Sequence, residues 1–301
     1  MTELIKLTEE VESALHDGDP VVALETTLVS HGFPYPEGAE VALESERCVR
    51  AAGAVPATVG VVDGAIRVGL AQADLERFAL AGHKVRKVGP RDLAASAVQR
   101  ALGATTVGGT LAACRLAGIR FLGTGGLGGV HRGFPRPPDV SADLAELARA
   151  QVLVVAAGVK SILDVPATAE VLETLGIPTL GWRTDELPLF YAARGGPAVS
   201  ARVDTVEEAA RVAQTHWRLD RHTALLLARP ADEGLDDLEP LIEKAVAAAT
   251  ERGVSGQAVT PFVLAYLHEH TGGRTVAVNK RLIIDNAGLA AEVAVAFSAL
   301  A

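Results

Sequence analysis

Aromatic side chains are scarce here: Phe, Tyr and Trp make up 4% of 301 residues. A core must then be assembled from small aliphatic side chains, as in layered α/β proteins. There are two cysteines and no Cys-x-x-Cys, which excludes a disulfide framework and a structural zinc site. Cys48 and Cys114 both fall on expected helices among apolar neighbours, so they read as buried thiols in a reducing compartment. Positive charge is also short. Lys and Arg number 28 against 37 Asp and Glu, the formal net charge is −9, and no basic cluster stands out. A duplex-binding surface is disfavoured, although a few local donors suffice for a small anion. No apolar run approaches the roughly 20 residues that span a bilayer. The opening MTELIKLTEEVESAL is acidic and amphipathic, without the basic start and apolar run of a signal peptide. The expectation is a cytoplasmic protein with neither membrane nor nucleic acid as partner.

Ala, Val, Leu and Gly fill the space that other residue types leave. Hydrophobic residues make up 49% and charged residues 22%, the balance of a globular chain. Strand-like and helix-like segments alternate throughout, which predicts a layered α/β/α fold with a central, largely parallel or mixed sheet. An opening helix ends near the turn Asp17-Gly18-Asp19-Pro20, and PVVALETTLV follows as a strand. Glu40 to Ala52 reads as a helix. ATVGVVDGAIRVGL reads as a hairpin turning at Asp63-Gly64. A helix is expected from Pro90 to Leu102, then short strands at TTVGGT and IRFLGTGG around the helix TLAACRLAG. IPTLGW, VSARVD and TALLLARP read as strands and TVEEAARVAQTHWRL as a helix. The last ~70 residues read as helical, over 238–252, 261–270 and 276–301. No repeat or linker interrupts the pattern, so 1–301 reads as a single α/β domain.

Chemistry concentrates at a few places. Gln151 to Ala157 is a buried Val-rich strand, and Ser161 to Leu175 has helical apolar spacing. Lys160 therefore falls where a core strand hands over to a helix N-terminus, the place where open α/β sheets put their chemistry. The positive end of a helix and desolvation both disfavour an ammonium. An amine without its proton is the usual precursor of a Schiff base. Taken alone, Lys160 suits a lysine snorkelling to solvent better than a nucleophile, because most lysines do no chemistry, and the rest of the sequence shifts that balance. Glu25 ends the strand of ALETTLVSHGF. A buried acid there must be paired or functional, and a raised pKa would suit a proton donor. Lys87, in KVRKVGPRDL, precedes a helix and could pair with Glu25 or a phosphate.

The densest candidate is FLGTGGLGGVHRGFPRPPDVSADL, with six glycines after a strand. Gly123, Gly125 and Gly128 satisfy G-x-G-x-x-G, but the chain runs on into HRGFPRPP, where no helix can begin, so a dinucleotide fingerprint is rejected. What remains is a loop whose backbone N–H groups could approach an anion, with Thr124 and His131 as added donors. Asp139, Ser141 and Asp143 close it. Ser141 could cap the next helix with Asp143 in its first turn, or a carboxylate there could hold Mg²⁺ or Mn²⁺. Asn279 and Asn286 lie two turns apart on one helix face. Asparagine is a poor helix former, so an inward hydrogen-bonding task is open beside a plain solvent-facing position.

Together these segments resemble the pseudouridine-5'-phosphate glycosidase family, also called the indigoidine synthase A-like family. The likeness runs through ALETTLVSHGFPYP, ATVGVVDG, KVGPRDLA, TVGGT, FLGTGGLGGVHRG, DVSADL, AAGVKSILDVPATAEVLETLG, GWRTDELPLFY, VTPF and the Asn-bearing C-terminal helix. It implies reversible hydrolysis of the C–C glycosidic bond of pseudouridine 5'-phosphate to uracil and ribose 5-phosphate, through an imine on Lys160 with Glu25 as proton donor. It further implies Lys87, Val107, Ser141, Ala142 and Asp143 at the substrate, and Asp139 as ligand of a divalent metal, Mn²⁺, largely through waters. Thr124, His131 and one or both of Asn279 and Asn286 would complete the phosphate and base contacts, and the assembly would be a homotrimer. The proline-rich FPRPP before Asp139 departs from the family pattern and leaves the metal-loop geometry open. Two rivals remain: a related phosphoribosyl C- or N-glycosidase of a pigment pathway, and a non-catalytic sugar-phosphate-binding regulator.

Overall fold

A computed structural model describes residues 4–133, 139–219, 221–235, 237–254 and 256–300. The FPRPP stretch lies outside the described residues. The chain folds into a mostly parallel sheet flanked by helices on both faces. Its spine is four short strands, β2 (Val21–Leu24), β7 (Phe121–Gly123), β8 (Leu153–Ala156) and β11 (Leu225–Ala228), adjacent in that order and all parallel. Every residue of these strands is buried, as expected where helices cover both faces and no residue can afford polarity. Side chains alternate between two cores. Ala23, Leu122, Val154 and Leu226 point to one side. Val22, Leu24, Phe121, Leu153, Val155, Leu225 and Leu227 point to the other, against α8 (Val206–Arg218) and the long C-terminal α11 (Arg274–Ser298). The sheet continues through β9 (Thr179–Trp182) and β10 (Ala201–Val203) on one flank. On the other flank lie β3 (Val55–Val62), β4 (Ala65–Val68) and β1 (Ile5–Leu7).

The β3–β4 hairpin forms as expected. Asp63 and Gly64 take φ of 52° and 87°, the paired positive values of a type I′ turn. A smaller extension pairs β5 (Arg86–Val88) with β6 (Gly103–Thr105), which runs antiparallel to β3. Helices α9 (Glu239–Glu251), α10 (Val259–His270) and α11 confirm the helical C-terminal region. No described helix is long and apolar enough to cross a membrane.

Several boundaries differ from the sequence reading. The N-terminal segment is not helical throughout: Ile5–Leu7 is an edge strand on β4, and extended Thr8 separates it from α1 (Glu9–Asp17). The helix begun at Glu40 starts earlier, with α2 spanning Glu37–Ala51. The helix expected from Pro90 to Leu102 is a 3₁₀ turn over Pro90–Asp92 followed by α4 (Leu93–Val98). TTVGGT is split. Thr106 caps α5 (Val107–Ala117) by accepting from Gly109 N–H at 3.2 Å. Two helical glycines look like strand punctuation in sequence, yet a Cβ on Gly109 would sit 2.5 Å from the Val88 carbonyl oxygen. Close packing, not turn formation, demands them. The helix after Lys160 also begins late: α7 is Val165–Thr174, capped by Asp164, which accepts from Ala167 N–H at 3.0 Å. Lys160 therefore stands in an irregular crossing segment five residues ahead of the helix, and the helix-terminus argument for its amine does not hold. Cys114 is buried, while Cys48 on α2 is only partly so.

Candidate active site

The carboxyl ends of β2, β7 and β8 meet at one edge of the sheet, where parallel α/β proteins bind ligands. A cavity of about 390 Å³ opens there, and Glu25, Lys87, Lys160, His131, Asp139, Ser141, Ala142, Asp143 and Asn279 line it. Residues more than 250 positions apart thus face one space.

Glu25 follows β2 directly. The next two residues pin the chain: Thr26 Oγ1 donates to Val59 O at 2.7 Å and Thr27 Oγ1 to Thr105 O at 2.7 Å. A single π-type turn, Leu28–Gly32, follows and puts His31 on the cavity wall. The Glu25 side chain is 7% exposed and accepts from Thr124 Oγ1. Burial pushes its pKa up, with the charge of Asp143 adding to the rise and Lys160, Thr124 and Lys87 opposing it. A carboxyl so placed holds its proton more readily than an exposed one. Lys87, on β5, is driven down to about 8, first by burial and then by the charge of Lys160, against the pull of Glu25 and Asp143. These four groups form one coupled electrostatic cluster.

Lys160 sits on the segment that leaves β8. Its N–H donates to Leu127 O at 3.1 Å, and Ala157 N–H donates to Gly125 O at 2.9 Å. The crossing segment is thus laced to the glycine loop. Gly158 turns the chain with φ of 75°, where a Cβ would meet the Pro188 carbonyl oxygen at 2.2 Å.

The glycine loop turns out differently from an open anion nest. Thr124 N–H donates to Val155 O and Leu127 N–H to Gly158 O, each at 3.0 Å. Gly128 N–H donates to Asp143 Oδ2 and Val130 N–H to Thr168 Oγ1, each at 2.9 Å. Most of its donors are therefore taken by protein. Its glycines answer to packing: a Cβ would lie 2.6 Å from the Phe190 ring at Gly126, 2.2 Å from Ser141 Oγ at Gly128 and 2.4 Å from Thr168 Oγ1 at Gly129. Phe190 itself holds φ of 64°, unusual for a bulky residue and placed against the cavity.

Asp143 uses both carboxylate oxygens on backbone, since Gly108 N–H donates to Oδ1 at 2.7 Å and Gly128 N–H to Oδ2. It ties the first turn of α5 to the glycine loop. Ser141 caps the short helix α6 (Ala142–Leu147), accepting from Asp143 N–H at 3.2 Å. Asp139 differs from Asp143. Its carboxylate stands at the cavity wall with Oδ2 3.8 Å from His131 Nδ1, and its side chain is 32% exposed. Burial lowers the His131 pKa against the pull of Asp139. Among the described residues no group of three or more His, Cys, Asp or Glu is arranged to hold a metal. One carboxylate facing the cavity suits a hard cation that keeps most of its waters, and not a protein cage.

The two asparagines share one face of α11 but differ in depth. Asn279, 8% exposed, lines the cavity. Asn286 is fully buried behind it, where Nδ2 donates to Thr124 O at 2.7 Å and Oδ1 has no hydrogen-bond partner. Neither faces solvent. Thr124, Asn286 and Val107 do not line the cavity: Thr124 reaches it through Glu25, and the Val107 side chain belongs to the core, 1% exposed, with Thr106 at the wall instead. Sequence reasoning missed His31, Arg91, Phe190 and Tyr191, which also line the cavity. His31 follows Glu25 by six residues, after a mixed stretch of Thr26, Thr27, Leu28, Val29 and Ser30 that carries no clear inward signal. Burial, with the charge of Lys87, holds it neutral by lowering its pKa to about 4.

The family model described as indigoidine synthase A like protein matches residues 10–296. A pseudouridine-5'-phosphate glycosidase from Herpetosiphon aurantiacus is 48% identical, the alignment covering 98% of each chain. One from Staphylococcus aureus is 42% identical over 98% of this chain and 97% of its own. The prealnumycin C-glycosynthase AlnA, solved in complex with ribulose 5-phosphate, superposes with a TM-score of 0.91 at 37% identity, covering 100% of this chain and 99% of its own. An indigoidine synthase A-like protein from Thermotoga maritima superposes with a TM-score of 0.88 at 37% identity, covering 98% and 97%. With a matching fold, a matching length and this identity, the chain belongs to the indigoidine synthase A-like family, the family of the pseudouridine-5'-phosphate glycosidases.

Proposed function

We propose that this protein cleaves the C–C glycosidic bond of pseudouridine 5'-phosphate, reversibly, to uracil and ribose 5-phosphate. The observation that carries the reading is the convergence of Glu25, Lys87, Lys160 and Asp143 on one cavity, where burial raises the Glu25 pKa and lowers that of Lys87. Uracil C5 is a poor leaving group, so an ordinary oxocarbenium route is closed and an amine offers another. Glu25 gives its proton to the ribose ring oxygen as the bond from that oxygen to C1' breaks. The uracil ring supports the positive charge left on C1'. The Lys160 lone pair adds to C1', and the nitrogen sheds a proton. Uracil C5 then takes a proton, and the C1'–C5 electron pair passes to the ring as nitrogen forms the C=N bond. Water adds to that imine and releases ribose 5-phosphate and the free amine. Lys87, cationic below about pH 8, balances negative charge in the pocket.

A divalent cation, Mn²⁺, would sit at Asp139, held mostly through waters, and would supply positive charge beside the bound phosphate. The protein is cytoplasmic in this reading. A second reading, another phosphorylated ribosyl C-glycoside as substrate, is favoured by the likeness to a C-glycosynthase.

The test is a coupled assay for ribose 5-phosphate from pseudouridine 5'-phosphate, run with and without chelation, plus mass spectrometry after borohydride reduction with ribose 5-phosphate. Turnover should fall on chelation and return with Mn²⁺, and the reduced adduct should map to Lys160. Lys160→Arg should give neither turnover nor adduct, because a guanidinium cannot form an imine. Activity in that variant would exclude covalent catalysis at Lys160, and indifference to thorough chelation would exclude the metal.

A further inference from the structure

The glycine loop has most of its N–H donors engaged by protein, and Asp143 has both oxygens engaged. A dianionic phosphate offers more acceptor sites than the few N–H groups left in the loop can fill, so a charged donor would add to its binding. Lys87 and Lys160 lie in the inner cluster with Glu25 and Asp143, where their charges already act on one another. One further cation lines the cavity among the described residues, Arg91. Its backbone is fixed. Pro90–Asp92 forms a single 3₁₀ turn closed by Gly89 N–H donating to Asp92 Oδ2 at 3.1 Å. The Pro90 ring backs onto the first turn of α5, where a Cβ on Gly108 would lie 3.0 Å from Asp143 Oδ1 and 3.1 Å from Pro90 Cγ. The turn is thus rigid at its base and carries its guanidinium outward.

The side chain itself is 80% exposed, and its recorded partner is the neighbouring Asp92, Nε to Oδ1 at 3.5 Å. An exposed contact of that length is worth little, so a ligand can displace it. Asp92 would repel a phosphate, but its other oxygen is held by the Gly89 amide and faces the turn. A planar guanidinium presents paired N–H donors that match two phosphate oxygens, a geometry no lysine supplies.

We propose that Arg91 closes from the rim over the 5'-phosphate of the substrate and sets the preference for the phosphorylated ligand. The inference rests on the phosphoribosyl reading given above. It makes Arg91 a specificity-determining residue, remote from the carbon that reacts, whose binding energy helps orient the scissile bond.

The experiment compares wild type, Arg91→Ala and Arg91→Lys on pseudouridine 5'-phosphate and on pseudouridine, with calorimetric titration of ribose 5-phosphate in parallel. In Arg91→Ala the ratio of kcat/KM values with and without the phosphate should fall about 10- to 100-fold, the usual size of a lost charge-assisted contact. Ribose 5-phosphate binding should weaken by a similar factor, and Arg91→Lys should fall between. The exposed side chain makes misfolding a remote explanation, and an unchanged melting temperature checks it. An undiminished phosphate preference, or equal affinity of wild type and Arg91→Ala for ribose 5-phosphate, overturns the proposal. A wild type that binds ribose 5-phosphate but turns over neither nucleoside would sink the functional reading instead, and the binding comparison would still decide the role of Arg91.

Discussion

At the scale of single residues, the cavity holds its charges under tension. Lys87 has a pKa of about 8 against an ordinary 10.5, with burial as the largest cause. Below pH 8 the folded protein carries an ammonium it would hold more cheaply in water. Between pH 8 and 10.5 the unfolded chain binds more protons at this site than the folded one, so stability from this group rises with pH across that window. Lys87→Met keeps the length and removes the charge. It should melt above wild type at pH 7, and the gap should shrink toward pH 10.5 while turnover is lost. Thermal melts at pH 7 and pH 10 check this. A variant melting at or below wild type at pH 7 would mean that neighbouring carboxylates already compensate the charge. Such a stabilised, inactive variant is what an active site built on an unfavourable charge should give.

At the scale of elements, the glycine loop, α5 and α6 are one interlocked unit. Asp143 spans Gly108 and Gly128, and Ser141 crowds Gly128 while capping α6. Gly128→Ala would place a Cβ 2.2 Å from Ser141 Oγ and 2.7 Å from Asp143 Oδ2. Overpacking of this kind costs about 1–3 kcal/mol, and it pushes on the carboxylate that tunes Glu25. Gly128→Ala should therefore lower both melting temperature and kcat/KM. Gly288→Ala, in α11, meets nothing nearer than Cys48 Cβ at 4.0 Å, and should be neutral or stabilising, since alanine is the better helix former. Equal behaviour of the two variants would show that steric crowding does not shape the loop.

At the scale of the whole molecule, α11 acts as the strut of the site. It lies against β7, where a Cβ on Gly123 would meet Ala287 Cα at 2.8 Å. Asn286 reaches the Thr124 carbonyl 162 positions away in the chain, and Asn279 meets the cavity from the same helix. We propose, from the sequence resemblance alone, that the chain assembles into a homotrimer. Light scattering on the purified protein should then give a mass about three times the 31.2 kDa of one chain. A monomer or dimer at micromolar concentration would remove that expectation.

The sequence by itself determined the layered fold, the Asp63-Gly64 hairpin, the buried spine strands and the family. Each rests on short-range signals: period-two or unbroken apolar runs, turn chemistry, and motifs in one order. It also placed Glu25 and Lys160 at strand ends, because a charged residue after an apolar run needs no tertiary information to be noticed. It misjudged what depends on partners far along the chain. Ser161 to Asp164 carries helical apolar spacing, yet Lys160 N–H pairs with Leu127 and Asp164 N–H with Val130, so the helix waits until Val165. The glycine loop looked like an anion nest, since sequence cannot show that Asp143, Gly158 and Thr168 accept the N–H groups of Gly128, Leu127 and Val130 or that Phe190 and Ser141 fill the space. Asn279 and Asn286 have the same residue type and the same helix face. Only the approach of α11 to β7 puts one at the cavity and the other beneath it. Local pattern fixes which residues can face a site, and long-range packing decides which backbone donors are left for a ligand once the protein has used its own.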